Sequence, residues 1–148
     1  MIMKKFVFSL QSWYDMQLSL EKQHKLQIGM IEARINASKD QLAALCGCFD
    51  KTKCEFTDEV TQGMVVHRAH HYGYYFESAK TSMSALQMHI AQLEEEKEEW
   101  MQKLVRVRKE IKLLDNLREN QYKEYLAETK KQQDKFIDDL VSYKVSIT

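Results

Sequence analysis

The chain has no proline and only four glycines in 148 residues. Inside a helix proline costs about 3 kcal/mol and glycine about 1 kcal/mol relative to alanine, so almost nothing here interrupts one, and long helices are the default. A charge of one sign is missing too: 22 basic residues face 22 acidic ones, mixed along the chain rather than sorted into a basic face or tail. A phosphate backbone would have little to hold, which argues against a nucleic-acid partner. Long apolar runs are also absent. Lys4 and Lys5 followed by Phe6, Val7, Phe8 and Leu10 imitate the start of a signal peptide, but Gln11, Ser12 and Asp15 break the run. No stretch approaches the roughly 18 apolar residues of a membrane span. The expectation is a cytoplasmic protein with no direct membrane insertion, whose three cysteines are reduced thiols rather than a disulfide framework.

Charged residues make up 30% of the chain, and Lys, Glu, Gln, Leu, Met and Ala dominate the rest, the composition of a coiled coil. Apolar residues recur at alternating steps of three and four through Ile28, Ile31, Ile35, Leu42, Leu45, Phe49 and Phe56, with Ser38 and Thr52 in the missing places. A second heptad stripe runs through Phe76, Ala79, Met83, Leu86, Ile90, Leu93, Trp100, Leu104, Val107, Ile111 and Leu114, broken only by Lys97. Between them the segment from Thr57 to Met64 is polar and holds Gly63, a residue able to end a helix in the left-handed conformation.

A fold-back at Gly63 makes a testable arithmetic demand: facing positions must have numbers with a constant sum. Phe56 with Tyr72, Phe49 with Ala79, Leu45 with Met83, Leu42 with Leu86, Ile35 with Leu93 and Ile28 with Trp100 all satisfy it. Two heptad stripes would do so by chance roughly two times in seven, so the match supports a hairpin over its rival, a parallel dimer of one continuous helix. The predicted fold is all-α, one domain over residues 1–148: helix 1 from about 6 to 60, a turn at about 61–65, and helix 2 from about 66 to 143, packed as an antiparallel coiled coil with a C-terminal helical overhang.

Towards the N-terminus the stripe is less regular, with Phe6, Leu10, Trp13 and Leu20 as anchors, Gln17, His24 and Gln27 as polar insertions, and Phe6 opposite Tyr122. After Leu114 a stutter through Arg118 to Tyr122 leads into Leu126, Thr129, Gln133, Phe136, Leu140 and Tyr143. Residues 123–143 have no partner in this scheme and would reach roughly 30 Å past the paired region.

Chemistry is sparse. Cys46, Cys48 and Cys54 lie across the turn from His67, His70 and His71, but the spacing is not that of a zinc site, and on a helix Cys46 and Cys48 point to different faces. Structural thiols and surface histidines are the favoured reading, with no metal and no cofactor. No nucleophile stands beside a base, no glycine-rich phosphate loop occurs, and a two-helix coil offers no concave substrate pocket; the chain is not expected to be an enzyme. Glu94 to Glu99, interrupted by Lys97, reads as a solvated face. Tyr72, Tyr74, Tyr75 and Phe76 cannot all face one helix, so Tyr74 and Tyr75 fall outside the seam. With Phe49 and Lys53 they form a candidate partner surface at the turn.

The opening Phe6, Val7, Phe8, Ser9, Leu10, Gln11, the Gly63 turn near the middle, and the closing Lys135, Phe136, Ile137, Asp138, Asp139, Leu140 resemble the flagellar FliJ family over nearly the whole length. Asp138 and Asp139 stand where that family has an Asp-Glu pair, which keeps the charge. The resemblance implies an antiparallel coiled coil similar to the central stalk of rotary ATPases, inserted into the hexameric flagellar export ATPase, touching the membrane-embedded export gate and engaging export chaperones. It places the chain at the cytoplasmic face of the membrane through the export apparatus. It assigns the turn residues Phe49, Lys53, Tyr74 and Tyr75 to the gate; the unpartnered stripe and the mixed-sign charges beside it make the segment with Leu126, Phe136, Leu140 and Tyr143, together with Phe6 and Leu10, the part expected to be held by the ATPase. The corresponding stalk of a virulence secretion system, a generic self-associating coiled coil, and a metal module at the turn are the competing expectations.

Overall fold

The computed structural model describes residues 4–147, and among these there are two elements, both helices: α1, Gln11–Gln62, and α2, Val66–Ile147. They are 52 and 82 residues long and pack against each other as a helical hairpin. Gly63 ends α1 with φ of 97°, the left-handed conformation that an L side chain resists, while its N–H donates to the Val60 carbonyl at 3.3 Å. Val65 offers no side-chain oxygen to cap α2. Its carbonyl instead accepts from the Arg68 and Ala69 N–H groups at 3.0 and 3.2 Å.

The expected helix start near residue 6 moves to Gln11. Phe6, Val7 and Phe8 are aromatic or β-branched and gain little from a helix. They precede a turn in which the Gln11 N–H reaches the Phe8 carbonyl at 3.2 Å, after which the Tyr14 N–H makes the first helical bond to Leu10 at 2.9 Å.

Two compact units divide the chain: one is His24–Lys103, the other Met1–Gln23 with Leu104–Thr148. The first holds the turn and an apolar seam. Ile31, Ile35 and Leu93 form its buried centre, with Trp100 packed against them. Leu42, Leu45, Phe49 and Phe56 on α1, and Phe76, Met83 and Leu86 on α2, are half-buried along the same line, while Ala79 and Ile90 are buried. The pairing of Ile35 with Leu93 is as the register requires. Ser38 is buried at its seam position. Lys97, the break in the second stripe, keeps its stem in the seam and turns its ammonium out to Glu32 at 3.0 Å. Lys39 and Glu94 bridge the helices at 3.6 Å.

In the second unit α2 presents Leu104, Val107, Ile111 and Leu114, all buried. What covers them differs from the expectation. The α1 seam keeps its steps of three and four but runs through Tyr14, Gln17 and Glu21, with Gln17 buried at 6% exposure, while the expected anchor Trp13 is 52% exposed. Glu21 lies 3.9 Å from Arg108. Phe8, 4% exposed, closes the line ahead of the helix. After Leu114 the less exposed positions are Gln121, Tyr125 and Thr129: the heptad runs on to Tyr125, past the expected stutter at 118–122, and a second step of four then leads to Thr129 on the later stripe.

Candidate functional site

At the turn, the Glu59 carboxylate receives both ends of the Arg68 guanidinium, each at 2.6 Å, and the Tyr72 hydroxyl at 3.0 Å. This clamp spans Gly63. The Arg68 hydrogen bonds hold the Glu59 carboxyl below the usual carboxylate range, and partial desolvation, then donation to Glu59, pushes the Tyr72 phenol up.

Behind the clamp lies an aromatic cluster centred on Phe76. Phe49 meets it at 5.3 Å between ring centroids, Phe56 at 5.6 Å and Tyr75 at 5.8 Å, all edge-on, and Phe56 also meets Tyr72 at 5.2 Å. Edge-to-face pairs of this kind add roughly 1 kcal/mol each beyond the area they bury. Phe49 and Tyr75 are therefore brought together through Phe76, with Phe49 half-buried in the seam and Tyr75 at its rim. Tyr74 stands apart, 76% exposed, and Lys53 is exposed on α1. Tyr75 also borders a shallow recess with Thr52, Arg68, His71 and Tyr72. The roles of Glu59 and Arg68 had no signal in the sequence, because a nine-residue separation across a turn belongs to no helical repeat.

Cys46, Cys48 and Cys54 are exposed free thiols, and Cys46 Sγ lies 3.5 Å from Met83 Sδ. His67 and His71 pack edge-on at 5.2 Å. Among the described residues, no three His, Cys, Asp or Glu side chains converge in a way that could hold a metal ion.

In the other unit Phe6 packs edge-on against Tyr122 at 5.2 Å and against Tyr125 at 5.5 Å, and the Tyr125 hydroxyl donates to the Lys4 carbonyl. Tyr125, rather than its apolar neighbour Leu126, thus holds the N-terminal segment. Tyr14 is flanked by Asp115 and Arg118; the facing Asp115 carboxylate, then burial, pushes the phenol up. Leu10 is 37% exposed. Farther along α2, Leu126, Phe136, Leu140 and Tyr143 share one face at heptad spacing and are 48, 48, 51 and 66% exposed. Ile137 and Val141 beside them are more than half exposed. A stripe of this size in water is characteristic of a surface that meets another protein.

No helix among the described residues is long and apolar enough to cross a membrane. No curated protein and no solved structure matches the chain. The family model described as the flagellar FliJ protein matches residues 6–146, which takes in the aromatic pairing of Phe6, the Gly63 turn and the exposed stripe of α2. The chain therefore belongs to the flagellar FliJ family and is a component of the flagellar protein-export apparatus.

Proposed function

We propose that the chain is a non-enzymatic stalk of the flagellar export apparatus, held by the hexameric export ATPase at one end and by the export gate at the other, and assisting export chaperones. The observation that carries this reading is the exposed heptad stripe Leu126, Phe136, Leu140 and Tyr143, in a chain whose family serves flagellar export. The charges beside the stripe, Lys130, Lys131, Asp134, Lys135, Asp138 and Asp139, are of both signs, which suits a polar ring interior better than an anionic bilayer. Phe6 and Leu10 belong to the same end. Mechanistically, an asymmetric helix in a ring favours different states of successive subunits, so it raises turnover by differential binding without touching the nucleotide.

At the turn, Tyr74 supplies an exposed ring and Tyr75 a partly exposed one beside Lys53, aromatic anchors of the kind that dominate interfaces. Phe49 contributes by supporting Phe76. These residues are assigned to the gate. A place at the cytoplasmic face of the membrane follows from the two partners together. The test is ATP hydrolysis by the purified export ATPase with the full chain and with a chain ending at Tyr122. Stimulation by the full chain that is lost in the shorter one supports the assignment; equal stimulation by both removes the α2 end from it.

A further inference from the structure

We infer that the outward face of α2 between Val105 and Leu117 is a docking surface for an acidic, amphipathic helical segment of a partner protein. Val105, Arg106, Lys109, Lys112 and Leu113 lie opposite the buried line Leu104, Val107, Ile111 and Leu114, by the same heptad, and Leu117 lies at the edge of this face. Arg106, Lys109 and Lys112 occupy it, all exposed, and none of them forms an ion pair among the described residues, whereas Arg108 on the flank lies near Glu21. Interleaved with these cations are Val105, Leu113 and Leu117, 48, 68 and 39% exposed. Val105, Lys109, Leu113 and Leu117 follow one another at steps of four, so they form one ridge along the helix.

Unpaired cations and exposed aliphatics on the same face favour an occupant that offers both carboxylates and apolar side chains. The length of the face decides between occupants. From Val105 to Leu117 it spans roughly 18 Å at the helical rise, the length of a helix of three to four turns. Glu110 and Asp115 lie on its flanks rather than on the ridge. A flat anionic bilayer or a long polyanion would have to approach those carboxylates as well, while a partner helix of three to four turns would not. The surface is separate from the residues assigned above to the ATPase and the gate.

The test uses the full chain and a labelled amphipathic peptide of four helical turns, Leu on one face and Glu flanking it, with a second peptide carrying Gln for Glu. Binding is read by fluorescence anisotropy. The Glu peptide is expected to bind, to weaken as salt rises, and to lose about tenfold or more in affinity for the variant R106Q/K109Q/K112Q, the sum of three exposed charge pairs. V105S/L113S should weaken it as well. Circular dichroism checks that the variants remain helical, and Lys109→Gln alone serves as the mild version. The proposal is overturned if the Glu peptide does not bind, if the Gln peptide binds equally, if the charge variants bind unchanged, or if vesicles containing phosphatidylserine take up the chain through these residues in preference to the peptide.

Discussion

The two units use one heptad register with opposite chemistry on α1. In His24–Lys103 both helices bring apolar groups to the seam, and Ile31, Ile35 and Leu93 are 2, 5 and 6% exposed. In the unit built from the chain's two ends, α2 is as apolar as before, but the α1 seam positions are Tyr14, Gln17 and Glu21, with Leu18 and Leu20 half-buried beside them. A polar group at a seam position weakens a coiled coil while fixing its register. The difference teaches that an apolar seam on both helices holds one unit together, while in the other an apolar α2 line packs under a partly polar α1.

The sharpest way to break this comparison is a charge in the apolar seam. Leu93→Asp would bury an unpaired carboxylate beside Ile31 and Ile35 and should cost about 4 kcal/mol in urea unfolding; a cost near zero would mean that this seam is not the stabilising one. The opposite substitution in the other unit should help. Gln17→Leu, placed in a line of buried aliphatics, is expected to add about 1 kcal/mol and to slow hydrogen exchange over residues 11–23, which in the native chain should exchange faster than residues 28–56. Equal protection of the two stretches would remove the contrast.

A smaller effect concerns the Glu59 clamp. Because the folded-state carboxyl titrates below its ordinary range, its contribution is present at neutral pH and is lost as the pH falls through that depressed value. Glu59 is solvent-facing, so the loss should be slight; it should vanish in Glu59→Gln, and an unchanged acid limb in that variant would deny the clamp any role. Smallest of all, Trp13→Gln should shift stability by no more than about 0.5 kcal/mol, because Trp13 stands half in water; a large loss would restore it as an anchor.

Much of this contrast could be read in the residues and some could not. The seam from Ile28 to Phe56 and its partner from Phe76 to Leu114 were legible because burial selected apolar side chains at nearly every step, and the exceptions Ser38, Thr52 and Lys97 still fall at seam positions. Near the N-terminus the same logic misplaces the anchors. Hydrophobicity favours Trp13 and Leu20, while the register continues through Tyr14 and Glu21, one position away, with Gln17 common to both. For the same reason Tyr122 and Leu126 suggest a stutter at 118–122, whereas Gln121 and Tyr125 hold the line there and the extra step of four falls between Tyr125 and Thr129. At the turn, Tyr74 and Tyr75 were legible as off-seam aromatics; that Phe49 and Tyr75 meet through Phe76 required the geometry.

The central claim is that the two exposed surfaces serve different partners, and a crossed comparison tests it most directly. Binding to the purified export ATPase and to the cytoplasmic part of the export gate would be measured for Phe136→Ser/Leu140→Ser and for Tyr74→Ala/Tyr75→Ala, with circular dichroism confirming that each remains helical. The account predicts that the first variant loses the ATPase and keeps the gate, and that the second loses the gate and keeps the ATPase. Retention of both partners by either variant, or loss of both by each, would contradict it.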